Sequence, residues 1–198
     1  EDAEKTLAAA DKAMKALKGF KKDLTCLGYK FNEDGINKTD QANCRKNGFH
    51  CAENPMDCLD YYSDWKNSVY YAVDAAGDID EDEIDSKISC TEMQLVKRLT
   101  IEQLLFEGLI YMVEHPERNW NGHVKKECGK AYNGFVVVRG KNPIASGNLG
   151  DILVLLKEEE NCSAIEEVAF LKIDGSRCYP KIDYTVKGIA NDQEEVCA

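Results

Sequence analysis

The chain has 198 residues, 36 acidic against 25 basic side chains, a net charge of −11, nine cysteines and three histidines. That balance argues against nucleic acid as a partner, because phosphate binding needs clustered Lys and Arg to displace counterions. No apolar run is long enough to span a bilayer; the best stretch, residues 104–113, is short and broken by Glu107.

In chain order, residues 3–18 place Leu7, Ala10, Met14 and Leu17 on one face, with Gly19 as a stop, and predict an amphipathic helix. A short strand is expected in 23–31, a turn at 32–35 and a cysteine-rich loop over 36–54. Residues 55–76 read as the clearest helix, capped by Asn54, opened by Pro55 and Asp57 and ended by Gly77. Its stripe of Leu59, Tyr62, Trp65, Val69 and Val73 faces the core and leaves Tyr61, Tyr70 and Tyr71 as a contact cluster. The acids of 78–85 approach calcium-loop spacing, but Glu83 and Ser89 stand where glycine and glutamate are needed, so the segment reads as a solvated linker. Helix is expected again over 91–114, with Thr91 as a cap, a Thr100/Gln103 capping box and a stop at His115-Pro116.

Beyond this the period changes. Residues 135–139 and 151–157 are continuous apolar runs, typical of strands covered on both faces. Residues 168–173 and 179–187 flank Asp174-Gly175-Ser176-Arg177 as a hairpin, and 140–150 reads as a long connection containing Ser146. The expectation is one α+β domain over 1–198, disulfide-stabilised, with N-terminal helices packed on a mainly antiparallel C-terminal sheet. Its helical half covers about 1–115 and its strand-rich half about 116–190, with a short polar tail.

The cysteines carry the functional argument. Cys44, Cys51 and Cys58 are each seven apart, no C-x-x-C occurs, and Cys26, Cys90, Cys128, Cys162, Cys178 and Cys197 are dispersed. Zinc sites use close ligand pairs, so the dispersion points to long-range disulfides among the first eight, with Cys197 left as the odd one. Candidate glycosylation sequons at Asn37 and Asn161 suit the same oxidising compartment. The start at Glu1 fits a mature chain after leader removal. His50, His115 and His123 occupy no recognisable catalytic spacing, and no motif calls for a metal or cofactor.

The resulting expectation is a secreted or cell-surface glycoprotein that recognises another protein without catalysis. The contact candidates are Tyr61, Tyr70, Tyr71, His50 and Ser146. The alternatives are a secreted enzyme with a site assembled from distant residues, or a carrier of a small cationic ligand.

Overall fold

The computed structural model describes residues 13–44, 46–81, 86–118, 120–161 and 163–190. The chain forms two compact units, Glu1–Leu104 and Leu105–Ala198, divided within a helix. Strands dominate both, which corrects the expectation of helices packed on a sheet.

The first unit contains β1 (Met14–Lys21), β2 (Thr25–Cys26), β3 (Tyr29–Lys30), β4 (Ile36–Lys38), β5 (Phe49–Ala52), β6 (Ser68–Glu81) and β7 (Lys87–Leu99). The helix expected over 3–18 falls partly outside the described residues, and its remainder is β1, paired antiparallel to β6 from Met14↔Ala75 to Lys21↔Ser68. The helix expected over 55–76 shrinks to a 3-10 turn, Pro55–Asp57, and the single turn α1, Cys58–Tyr61. Asn54 does cap it, its side chain accepting from the Met56 amide at 3.0 Å. The rest becomes β6, because Val69, Tyr71, Val73 and Ala75 alternate into the core. Val69 and Val73 satisfy a helical stripe and a strand face equally, and the aromatic, β-branched composition favours the strand.

Gly77 does not stop a helix. It sits at φ 76° in an irregularity of the β6–β7 ladder, where an added Cβ would meet the Thr91 hydroxyl at 2.2 Å. The acidic stretch is strand up to Glu81, and residues 82–85 lie outside the described ones. The expected helix at 91–99 is β7, which pairs with β4, β5 and β6.

Hydrogen-bonded neighbours run β4-β7-β5-β1-β6, and β6 returns to β7, so β5, β1, β6 and β7 close into a ring. Phe20, Phe31, Phe49, Tyr71, Ile88, Cys90 and Met93 form the core of this unit. The β1–β5 seam is a single register pair, Leu17↔Ala52.

Thr100 and Gln103 form the expected capping box. The Thr100 amide donates to Gln103 Oε1 at 2.9 Å and the Gln103 amide to Thr100 Oγ1 at 3.2 Å. It opens α2, Ile101–Glu114.

The second unit holds β8 (Val124–Lys130), β9 (Phe135–Ser146), β10 (Ile152–Glu158), β11 (Ile165–Lys172), β12 (Tyr184–Thr185) and β13 (Gly188–Ile189). Residues 152–156 are buried throughout, as their unbroken apolar run predicts. The sheet is not mainly antiparallel, since β9 lies parallel to both β8 and β10. Residues 140–146 belong to β9 rather than to a connecting loop. The expected hairpin around residues 174–177 is replaced by pairing of Tyr184 with Ala145.

Arg139 is buried in this sheet. Its Nε donates to Glu158 Oε1 at 2.7 Å, its Nη2 donates to the Pro116 carbonyl, and its guanidinium lies 5.1 Å from the Trp120 ring. Removing one member of a buried pair strands the other's charge. Arg139→Met is therefore expected to destabilise by about 3–5 kcal/mol, whereas R139M with Glu158→Met loses much less. Urea unfolding of the three proteins reads the difference.

Candidate functional site

A cleft of about 690 Å³ opens in the first unit at the β1–β5 seam. Leu17, Lys18 and Gly19 come from β1, His50, Cys51 and Ala52 from β5, and Asp57, Cys58, Tyr61 and Tyr62 from the short helical segment and the residue after it. Cys26 and Lys87 complete the part that bears chemistry. The volume falls in the range of about 300–1,000 Å³ usual for small-molecule sites.

The seam explains why the cleft exists. With only Leu17↔Ala52 paired, the two strands part, and the His50 carbonyl accepts from Lys18 Nζ at 2.5 Å where a continuing ladder would offer an amide. Lys18 alternates with Ala16 and Phe20 toward the core and is only 4% exposed. Its ammonium also reaches Cys26 Sγ at 3.6 Å and lies 5.1 and 5.4 Å from the Phe20 and Phe31 rings. Across the cleft, the Tyr62 ring packs on Gly19 so closely that a Cβ there would stand 2.6 Å from Cδ2. Only glycine lets β1 and this wall approach so near.

The wall is largely uncharged at neutral pH. Burial, helped by the Lys18 and Lys87 charges, lowers His50 to a pKa of about 4, so the imidazole is neutral. Burial pushes the Cys58 thiol up to about 12. Cys51 is raised by its hydrogen bond to Cys90 and by burial. Burial, together with the hydrogen bond to Cys26, raises the Tyr62 phenol. Asp57 accepts from the Ser86 hydroxyl at 2.6 Å, and Lys87 Nζ lies 3.9 Å from the Tyr61 ring centroid.

Of the contact residues expected from sequence, His50 and Tyr61 line the cleft. Tyr70 is buried and donates to the Tyr62 carbonyl, which holds the wall rather than the ligand space. Tyr71 is a core residue whose hydroxyl donates to Glu33 at 2.6 Å. Ser146 is buried at the end of β9 in the second unit. His115 packs beside the Tyr111 ring, and the His123 amide donates to Asn121. Asp57 and Cys58 belong to the 44–58 loop that the sequence also offers as a contact surface, whereas Lys18, Cys26 and Lys87 are cleft residues it does not suggest. A lysine in strict alternation with Ala16 and Phe20 is the signal that marks the first of them.

The disulfide framework is overturned. Cys26, Cys44, Cys51, Cys58, Cys90 and Cys178 form no disulfide, and among the described residues only Cys128 is disulfide-bonded. Cys162 and Cys197 lie outside the described residues. The Asn37 sequon fails as well, because its amide is 2% exposed, donates to the Asn32 and Met93 carbonyls and accepts from the Asn32 amide. Asn161 is exposed and closes a local turn, its Oδ1 accepting from the Ser163 amide at 3.0 Å. The expectation of a secreted glycoprotein held by a network of disulfides thus loses its basis. No group of three or more His, Cys, Asp or Glu among the described residues is placed to hold a metal ion. No helix among them is long and apolar enough to cross a membrane.

Residues 14–107 match a family described as a domain of unknown function (DUF7666). The match covers a little under half of the chain and includes every residue that lines the cleft. No curated protein matches the chain, and no solved structure matches it.

Thiol titration of unreduced, denatured protein is expected to count at least the six thiols described; a count of two or fewer contradicts the arrangement. Stability also carries a sign set by His50. An unfolded imidazole takes its proton near pH 6.5 and the folded one near 4, so the unfolded state binds more protons between these values. Unfolding free energy is therefore full above about pH 6.5 and declines toward pH 4. His50→Gln keeps the backbone carbonyl and flattens that slope in denaturant titrations across the interval.

Proposed function

We propose that the first unit is a binding module that takes a small organic molecule into the β1–β5 seam cleft. The observation that carries this reading is the cleft's composition. A concave space of about 690 Å³ is walled by Leu17, Ala52, a neutral imidazole, the protonated Cys51 and Cys58 thiols and the protonated Tyr62 phenol, with a few charged groups at defined points. Apolar lining with few convergent polar groups is the usual make-up of a ligand site. Holding the thiols and His50 in their neutral forms suits binding more than proton transfer, because a general base works best when its pKa lies near the operating pH.

Recognition of another protein is the reading the residues first suggest, and the tyrosine cluster was its basis. Two of those three tyrosines are buried, which removes most of the contact surface. The small-ligand reading is the one the cleft supports.

The neutral aromatic probe N-phenyl-1-naphthylamine tests it. Saturable, one-to-one fluorescence enhancement is expected for the purified full chain, with competition by whatever occupies the site naturally. Ala52→Trp fills the cleft and is expected to abolish binding with the far-UV circular dichroism unchanged. The exposed-rim variant Tyr61→Ala weakens binding without that risk to the core. Absence of saturable binding to the unmodified chain refutes the proposal.

A further inference from the structure

We propose that the second unit carries a ligand site of its own, a polar cleft in which the buried Arg139–Glu158 pair and Trp120 take a neutral carbohydrate. It stands independently of the reading of the seam cleft.

This cleft holds about 500 Å³, and every residue that lines it lies between Pro116 and Glu158, within the second unit. Arg139 of β9 and Glu158 of β10 are 2% and 7% exposed, Trp120 is half-buried, and Arg118, Lys126 and Lys141 are exposed at the rim. The buried pair is not saturated. Arg139 Nε donates to Glu158 Oε1 and Nη2 donates to the Pro116 carbonyl, whereas Nη1 and Glu158 Oε2 make no hydrogen bond among the described residues. No buried side-chain nitrogen or oxygen among those residues lacks a partner. The two atoms are therefore not sealed inside the sheet, and both side chains line the cleft. Glu127 shows the contrast. Its two carboxylate oxygens accept from the Lys141 and Asn142 amides at 3.1 Å, and its carboxyl carbon would stand 2.5 Å from a Cβ at Gly140. Glu127 is committed to shaping the wall, and the open valences belong to Arg139 and Glu158.

Those valences define the ligand's chemistry. A guanidinium nitrogen only donates and a carboxylate oxygen only accepts, so the complement must accept and donate from neighbouring atoms. A phosphate or carboxylate brings acceptors and a charge that Glu158 repels; an amine brings donors and a charge that Arg139 repels. Either disturbs a buried pair whose charges cancel. Adjacent sugar hydroxyls accept and donate together and add no net charge. The C–H face of a pyranose also suits the flat apolar surface of an indole such as Trp120. Arg139 is already held by Glu158, Pro116 and the Trp120 ring, so little side-chain freedom is lost when a hydroxyl docks.

Saturation-transfer difference NMR of the full chain tests this with the methyl glycosides of glucose, galactose, mannose and N-acetylglucosamine. At least one is expected to bind saturably with a Kd on the order of 1 mM, as a small and largely solvated ligand allows. Trp120→Ala should weaken that glycoside by about tenfold or more, and Trp120→Phe should retain most of the affinity. Arg139→Met combined with Glu158→Met removes the donor and the acceptor together without stranding a charge, and is expected to abolish saturable binding. Its folding is checked by circular dichroism, and the Trp120 pair decides the matter if it does not fold. Absence of saturable binding by all four glycosides overturns the proposal, as does binding that survives W120A or the folded double variant. Displacement of the glycoside by an equal concentration of inorganic phosphate or methylammonium overturns the assignment of a neutral ligand.

Discussion

Closing a short sheet on itself leaves one junction with the fewest hydrogen bonds, and in the first unit that junction is Leu17 against Ala52. Strand β1 is bound along its whole length to β6, so it cannot turn toward β5 without breaking eight register pairs. The polar backbone groups exposed where the strands part need partners. The His50 carbonyl finds the Lys18 ammonium. A charged amine drawn out of water is costly unless its donors are met, and the same contact satisfies both groups. The cleft, its buried lysine and the neutral His50 all follow from that one unpaired edge.

The two units handle buried charge differently. In the second, Arg139 meets Glu158 directly and is further held by the Pro116 carbonyl and the Trp120 ring, so charge is cancelled within the protein. In the first, Lys18 has no carboxylate within ion-pair distance among the described residues and is met by a carbonyl, a thiol and aromatic faces. An arginine fork suits a bidentate carboxylate, whereas a lysine serves as a compact charge with donors to spare. The first arrangement braces a sheet. The second keeps a buried lysine at the wall of the cleft.

Much of the secondary structure was readable where a signal was local. The Asn54 cap, the Thr100/Gln103 box and the doubly covered strand at 152–156 all rest on neighbouring residues, and all are present. Errors arose where two periods fit the same residues. Val69 and Val73 lie four apart, which suits a helix face, and also lie on one side of a strand that includes Tyr71 and Ala75. Alternation in β7 is harder to see. Ile88 and Cys90 share a phase that Met93 and Leu95 do not, and the β6–β7 ladder is irregular beside this change, where β6 carries an extra residue between Ala76 and Ile79. A shifted register moves every later side chain to the other face. The cysteines misled for a related reason: dispersion along the chain fits distant pairing as well as isolated burial, and thiols such as Cys58 and Cys90 serve here as small apolar fillers.

By itself, the sequence determined the local caps, the acidic overall charge, the buried β10 run and the presence of His50 and Tyr61 in a region dense with polar and aromatic groups. Tertiary structure alone decided that Lys18, Cys26, His50, Cys58 and Lys87 share one cleft, since they come from five separate segments that meet only when the ring of strands closes. Ring closure depends on long-range backbone pairing, and pairing partners are chosen by the whole set of strands competing for each edge. No window of neighbouring residues contains that choice, so the site's charge and shape appear only once the fold is complete.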